Sequence, residues 1–306
     1  MRLEPNIWSN TLSRLFVFLT LMVMSLGLEM AAADSKIIHI ERSLYRDVYV
    51  YDLGNQLCTG FMDRNDQSCI YKDAKDYLVW EYYRASIAGL LIAGEPKKIL
   101  MIGLGGGVLA NAIHSLFPDV ELEVVELDSA MLKVAKDYFD FEESEQVRVV
   151  INDGRVRVKR ALLAEERFDA VILDAFELEN TPEHMLTAEF LKEVRAILEP
   201  SGVFIAHTKA DNQLRDALLR TYHEVFGDYY SLDPRGCCRL IFAEPQSLTD
   251  KAVLGQRAID QLENMQRLHV SVEDILHQLS VQSDWDPDAV VLTDSYFPGN
   301  LLNANP

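Results

Sequence analysis

Between residues 36 and 72, apolar and polar side chains alternate in short runs, KIIHIER, RDVYVYD and QLCTGFM, separated by polar or glycine-containing turns. A period of two belongs to half-buried strands, so this stretch predicts a small antiparallel sheet. From 76 to 93 the period lengthens. Trp80, Tyr83, Ile87, Leu90 and Leu91 recur at helical spacing, and Gly94 with Pro96 ends the helix. Apolar runs, broken by Glu123 in the second and Arg148 in the third, then appear at 99–102, 122–125, 147–151, 170–173 and 203–206, alternating with helical segments near 109–116, 130–138, 156–163, 188–198 and 213–225. Buried strands joined by helices specify an α/β fold, a doubly wound and mostly parallel sheet covered on both faces. Segments 229–232 and 239–243 read as a terminal antiparallel pair, and 248–268 and 272–279 as helices.

The first 33 residues follow neither period. Arg2 and Arg14 precede 14 uncharged, mostly apolar residues, 15–28, and Ala31, Ala32 and Ala33 follow Glu29. A basic flank, an apolar core and an Ala-rich exit predict a secretory signal peptide. The run is shorter than the ~20 residues that comfortably span a bilayer, which makes a permanent anchor the second reading and a buried or interfacial helix the third. The expected location is therefore exported, periplasmic or membrane-anchored, and cytoplasmic if the segment is no signal. Four parts follow: a leader, 1–33; a small β domain, 34–75; an α/β domain, 76–245; and a helical extension with a tail, 246–306.

Composition adds exclusions. The 306 residues are 49% hydrophobic and 25% charged, as in an ordinary globular protein, and the net charge is −19. Such acidity speaks against a nucleic-acid partner, because the basic cluster Arg155, Arg157, Lys159 and Arg160 is short and local. Residues 1–33 carry two arginines and two glutamates, so the whole excess lies in the remaining chain. Cys58 and Cys69 suit a bridge between neighbouring strands in an exported protein, whereas Cys237 and Cys238 are adjacent. With no CxxC or HExxH and only scattered histidines, no metal is expected.

The chemistry gathers where strands end. Strand 99–102 runs into Gly103-Leu104-Gly105-Gly106-Gly107 and then a helix, a turn whose backbone can approach a ligand closely and offer free N–H groups. Glu126 closes the second strand 23 residues beyond Gly103, where an acid accepts from ribose hydroxyls. The loop is not GxGxxG, so a ribose without a pyrophosphate suits it better. Asp153 and Gly154 follow the third strand, with the carboxylate placed to accept from an adenine amino group. Asp174 and Glu177 follow the fourth, at the carboxyl edge where open α/β sheets bind ligands. For Asp153 or Glu177 alone, a helix N-cap or first-turn carboxylate is the competing reading.

The ordered set IGLGGGV, VELD, NDG and FDAVILDAF resembles the spermidine synthase (polyamine aminopropyltransferase) family, within the class I S-adenosylmethionine-dependent methyltransferase superfamily. The resemblance extends upstream to Gln67 and the helix DYLVWEYYRA and covers roughly residues 36–243. It implies a Rossmann-like class I methyltransferase fold preceded by a small antiparallel β domain, with a homodimer as the assembly of relatives. It also implies that Gln67, Gly103, Gly105, Gly106, Gly107, Glu126, Asp153 and Gly154 hold decarboxylated S-adenosylmethionine or S-adenosylmethionine as co-substrate. Trp80, Glu81 and Asp174 would hold a small-molecule amine, with Asp174 and Glu177 catalytic. The implied reaction is aminopropyl transfer to a diamine such as putrescine. A carboxylate, with an ordinary pKa of ~3.9, is a poor base for an amine near ~10, so Asp174 would act mainly by alignment in a desolvated site.

Three positions depart from that family. Gly105 stands where the synthases have an aspartate facing the donor's amine, Trp80 replaces a histidine, and Glu177 replaces an aspartate. The glycine-rich loop with VELD is also similar to the corresponding domain of eukaryotic lysine and N-terminal methyltransferases. Methyl transfer to an amine or protein is therefore the second reading, and a catalytically inactive nucleoside-binding relative the third.

Overall fold

The alternating runs become β1 (Lys36–Glu41), β2 (Val48–Asp52), β3 (Gln56–Phe61) and β4 (Asn65–Tyr71), an antiparallel sheet in that order. The computed structural model describes residues 35–62, 65–176, 181–208, 214–234, 238–281 and 284–297. The predicted leader, Glu177 and Cys237 lie outside them. Cys58 and Cys69 face each other across β3 and β4 with Cα atoms 4.1 Å apart and are joined as a disulfide.

The helix predicted from residue 76 starts later, as α1 (Glu81–Gly89). Trp80 is extended at φ −98° and ψ 139° and forms the N-cap, its indole stacked on Tyr82 and Tyr83. A 3-10 turn, Leu90–Ile92, follows, and the chain reverses at Gly94 with φ +79°.

The five predicted strands are β5 (Lys98–Ile102), β6 (Glu121–Glu126), β7 (Val147–Ile151), β8 (Phe168–Leu173) and β9 (Leu198–Thr208). Helices α2 (Val108–Leu116), α3 (Ser129–Tyr138), α4 (Gly154–Leu163) and α5 (Ala188–Ile197) join them, and α6 (Arg215–Phe226) follows β9. Their spatial order is β7-β6-β5-β8-β9, every neighbouring pair parallel. The later strands are β10 (Tyr230–Leu232) and β11 (Arg239–Ala243), and β11 inserts antiparallel between β9 and β10. A two-residue strand, β12 (Ser280–Val281), completes the edge, too short for any period to announce it. The helix predicted over 248–268 is broken at Gln261 into α7 (Lys251–Asp260) and α8 (Leu262–Arg267), before α9 (Val272–Gln278). Among the described residues, no helix is long and apolar enough to cross a membrane.

Successive strand residues feed opposite layers. Ile99 and Met101 pack with α1, α2 and α3, while Leu100 and Ile102 pack with α4, α5 and α6. Double-sided burial explains why the central strands β5 and β8 read as apolar runs, whereas the edge strand β7 is only partly buried and carries Arg148. Glu123 is the exception in β6. It is 2% exposed and pairs with Arg157 and Arg148, while Arg155 pairs with Glu193 and Asp294. Half of the sequence's basic cluster is thus turned into buried ion pairs.

Candidate active site

From β5 the chain proceeds to β6 on one side, and from β8 to β9 on the other. The ends of β5 and β8 therefore flank the switch point, where an open sheet leaves a crevice. Gly103 follows β5, and Asp174 follows β8. At Gly103, φ is +99° and a Cβ would lie 2.1 Å from the Asp174 carbonyl oxygen, so only glycine lets the two strand ends lie side by side.

The crevice is a cavity of about 1100 Å³, enough for a nucleoside and a second small molecule. Gln67, Trp80, Glu81, Gly103, Gly105, Glu126, Asp153, Gly154 and Asp174 all line it, from six separate chain segments. Gly106 and Gly107 do not. A Cβ at Gly106 would meet Ser68 and Phe139, and one at Gly107 would meet Phe141, so both positions need glycine for close packing behind the loop. The lining holds seven carboxylates (Asp66, Glu81, Glu126, Asp128, Asp153, Asp174 and Glu183) against two guanidiniums, Arg46 and Arg84. That balance favours cationic ligands.

Glu126 accepts from the Leu104 N–H at 2.9 Å with one oxygen and from the Asp128 N–H at 2.9 Å with the other. It therefore fixes the glycine-rich loop, and its remaining acceptor capacity is what a ligand hydroxyl could use. Burial pushes its carboxyl above the ordinary 4.5, against the pull of those N–H groups. The ionised form accepts all these bonds, so nucleoside affinity should fall as pH drops through that raised value, starting above pH 4.5. Calorimetric titration of S-adenosylhomocysteine between pH 4 and 8 checks this, with Glu126→Gln expected to bind at least about tenfold more weakly at neutral pH and to lose the acid dependence.

Asp153 fulfils the competing reading in part. One oxygen caps α4 by accepting from the Val156 N–H at 2.8 Å, and the other lies 2.9 Å from His184 Nε2. Its capacity for an adenine amino group is thus shared with a cap and an imidazole.

Asp174 stands at the centre of the opposite wall. Its Oδ1 lies 2.9 Å from His207 Nδ1, and its Oδ2 accepts from the Tyr82 hydroxyl at 3.3 Å. The His207 ring stacks on Tyr82 with centroids 4.0 Å apart and meets Phe176 edge-on at 4.6 Å. Burial, reinforced by the Asp174 charge, raises the Tyr82 and Tyr83 phenols far above their ordinary range, so both remain protonated donors. The Ser68 hydroxyl accepts from the Gly106 N–H at 2.8 Å and shares a bond with Tyr83 at 3.0 Å. A Cβ at Gly105 would lie 2.7 Å from that hydroxyl, so Ser68 fills the space in which a larger residue would begin.

Among the lining residues to which the motifs assigned no role are Ser68, Tyr82, Phe176, His184 and His207. His207 alone left a usable signal, as the polar residue ending the apolar run of β9 at the ligand-binding edge.

A doubly wound sheet with an acidic, aromatic-walled crevice at its switch point defines a Rossmann-like transferase of the class I methyltransferase fold. Residues 83–234 match the model of the spermine/spermidine synthase domain. The chain is 36% identical over 275 residues to a polyamine aminopropyltransferase of Vibrio vulnificus (strain CMCP6), covering 88% of this chain and 92% of that protein. It belongs to the spermine/spermidine synthase family. A probable spermidine synthase from Corynebacterium glutamicum ATCC 13032 shares the fold at TM-score 0.61 and 19% identity, over 73% of this chain and 88% of that one. Human methyltransferase-like protein 13, in complex with SAH, is similar at TM-score 0.53 and 28% identity, over 72% of this chain and 99% of that one.

Proposed function

We propose that this transferase moves an aminopropyl group from decarboxylated S-adenosylmethionine to a diamine such as putrescine. The observation that carries the reading is Asp174, held by Tyr82 and His207 in an aromatic wall of a cavity richer in carboxylates than in guanidiniums. Donor and acceptor are both cations in this reaction. Carboxylates and ring faces stabilise a sulfonium and an ammonium where water is excluded, and alignment of amine, carbon and sulfur supplies most of the acceleration. Glu126 and the loop 103–105 would hold the nucleoside, and Asp174, Glu81 and Trp80 the amine.

Methyl transfer from S-adenosylmethionine is the second reading, favoured by Gly105 and by the likeness to methyltransferase-like protein 13. Incubation of purified protein and putrescine with each donor, labelled in the transferable group, separates the two. Spermidine formed from the decarboxylated donor is the expected product. Methylated amine formed from the carboxylated donor alone would replace the first reading by the second, and absence of both products with nucleoside binding retained would leave the inactive nucleoside-binding relative.

Export or anchoring through residues 1–33 belongs to the same proposal. The Cys58–Cys69 disulfide supports it, since such bonds persist in oxidising compartments. Fractionation of tagged protein with N-terminal sequencing tests it, and an intact Met1 in the cytosol would refute it.

A further inference from the structure

The geometry points to His207 as the base that takes the proton from the acceptor amine, with Asp174 as the residue that positions it. This inference rests on the transferase reading above but requires only that the acceptor be an amine, whichever alkyl group is moved.

The two nitrogens of the His207 ring meet different surroundings. Nδ1 lies 2.9 Å from Asp174 Oδ1. An ionised carboxylate can only accept, so this contact assigns the ring proton to Nδ1 and leaves the lone pair on Nε2. Among the described residues, no group bonds Nε2, and that atom is not among the buried side-chain atoms lacking a partner. The ring lines the cavity, and its side chain is 13% exposed. Nε2 is thus a basic atom left open on the wall that Asp174 and Tyr82 form, whereas the other imidazole of the lining, His184, engages Asp153 through its Nε2.

Orientation is imposed from three directions. Asp174 at the end of β8 fixes Nδ1, Tyr82 of α1 stacks on one face at 4.0 Å, and Phe176 meets the ring edge-on at 4.6 Å. The other titratable groups on this wall are Glu81 of α1 and Cys238 before β11. Arg239 of β11 is committed elsewhere, to Asp233 and Asp284. The two guanidiniums that line the cavity are Arg46 and Arg84, the latter donating to the Leu78 carbonyl and lying over the Tyr77 ring, while Asp174, in hydrogen-bond contact with the imidazole, is placed to stabilise the imidazolium.

The division of labour follows from basicity. A diamine arrives mainly as ammonium at neutral pH, its pKa near ~10, and an imidazole, which ordinarily titrates near ~6.5, is a better proton acceptor than any carboxylate. In the step, the N–H pair of the acceptor ammonium becomes the amine lone pair as its proton passes to Nε2. That lone pair forms the new N–C bond to the carbon beside the sulfonium. The C–S pair departs to sulfur, leaving a neutral thioether, and the new secondary amine carries the positive charge. The imidazolium then returns its proton to water.

The test is a pH profile of kcat/KM for wild type and for His207→Gln, which keeps a donor for Asp174 but no basic atom, on whichever donor is turned over. A loss of about 10²-fold near neutrality is expected, shrinking as pH nears ~10, where the amine is already free. In His207→Ala, added imidazoles should restore part of the rate in proportion to their basicity. A pH-independent loss without rescue, or a variant within about threefold of wild type at pH 7, would overturn the assignment. A second measurement needs no turnover: in ¹⁵N-labelled full-length protein, saturating putrescine should move the His207 Nε2 resonance and leave Nδ1 protonated. An unmoved Nε2 would count against His207, whereas turnover of the carboxylated donor alone would count only against the aminopropyl reading.

Discussion

Replacing Asp174 by asparagine should lower kcat/KM by about 10³-fold or more while leaving the melting temperature nearly unmoved. The amide would keep the shape of the side chain and could still accept from Tyr82, so the loss isolates the charge. Two effects combine. The cavity loses the carboxylate nearest the aromatic wall, and the amide can present an NH₂ group to His207 Nδ1, favouring the tautomer that carries its proton on Nε2. Kinetics with the active donor, beside a thermal melt, checks both parts. Activity within tenfold of wild type would remove Asp174 from the centre of the mechanism.

The second large effect is expected from Gly103→Ala. A Cβ there would sit 2.1 Å from the Asp174 carbonyl oxygen and 2.7 Å from its carbonyl carbon, both main-chain atoms of a neighbouring strand. Neither can swing aside as a side-chain tip could. With φ at +99°, alanine also adopts a backbone that L-residues disfavour, and the two costs together come to about 2–5 kcal/mol. Relief requires β5 and β8 to part at their ends, which moves the very peptide that carries the Asp174 side chain. Chemical denaturation should show the destabilisation, and the folded fraction should also turn over slowly. Wild-type stability with unchanged kcat/KM would show that the strand ends can separate without consequence.

These two residues show how much of the site was legible. Glu126, Asp153 and Asp174 were readable because each follows an apolar run, and in a parallel sheet every such run ends on the same edge. Their convergence required only the alternation of strands and helices. The packing role of Gly106 and Gly107 was not legible, because a glycine needed for ligand approach and one needed for close packing look alike in sequence. The side chains that fill the space beside them, Phe139 and Phe141, are remote in the chain. Asp153 proved both cap and cavity residue, since a strand-to-helix turn presents one carboxylate to two neighbours.

Hydrophobic periodicity alone determined that this chain builds a small antiparallel sheet followed by a doubly wound one, because burial on one face or on two leaves different repeats. The order of motifs likewise determined the family. Only the tertiary structure decided that β11 lies between β9 and β10, that Ser68 occupies the space beside Gly105, and that His207 reaches Asp174 across 33 residues of sequence. Those facts depend on which strands are neighbours and on how closely their ends approach. A one-dimensional pattern records which face of a strand is buried but not what it is buried against.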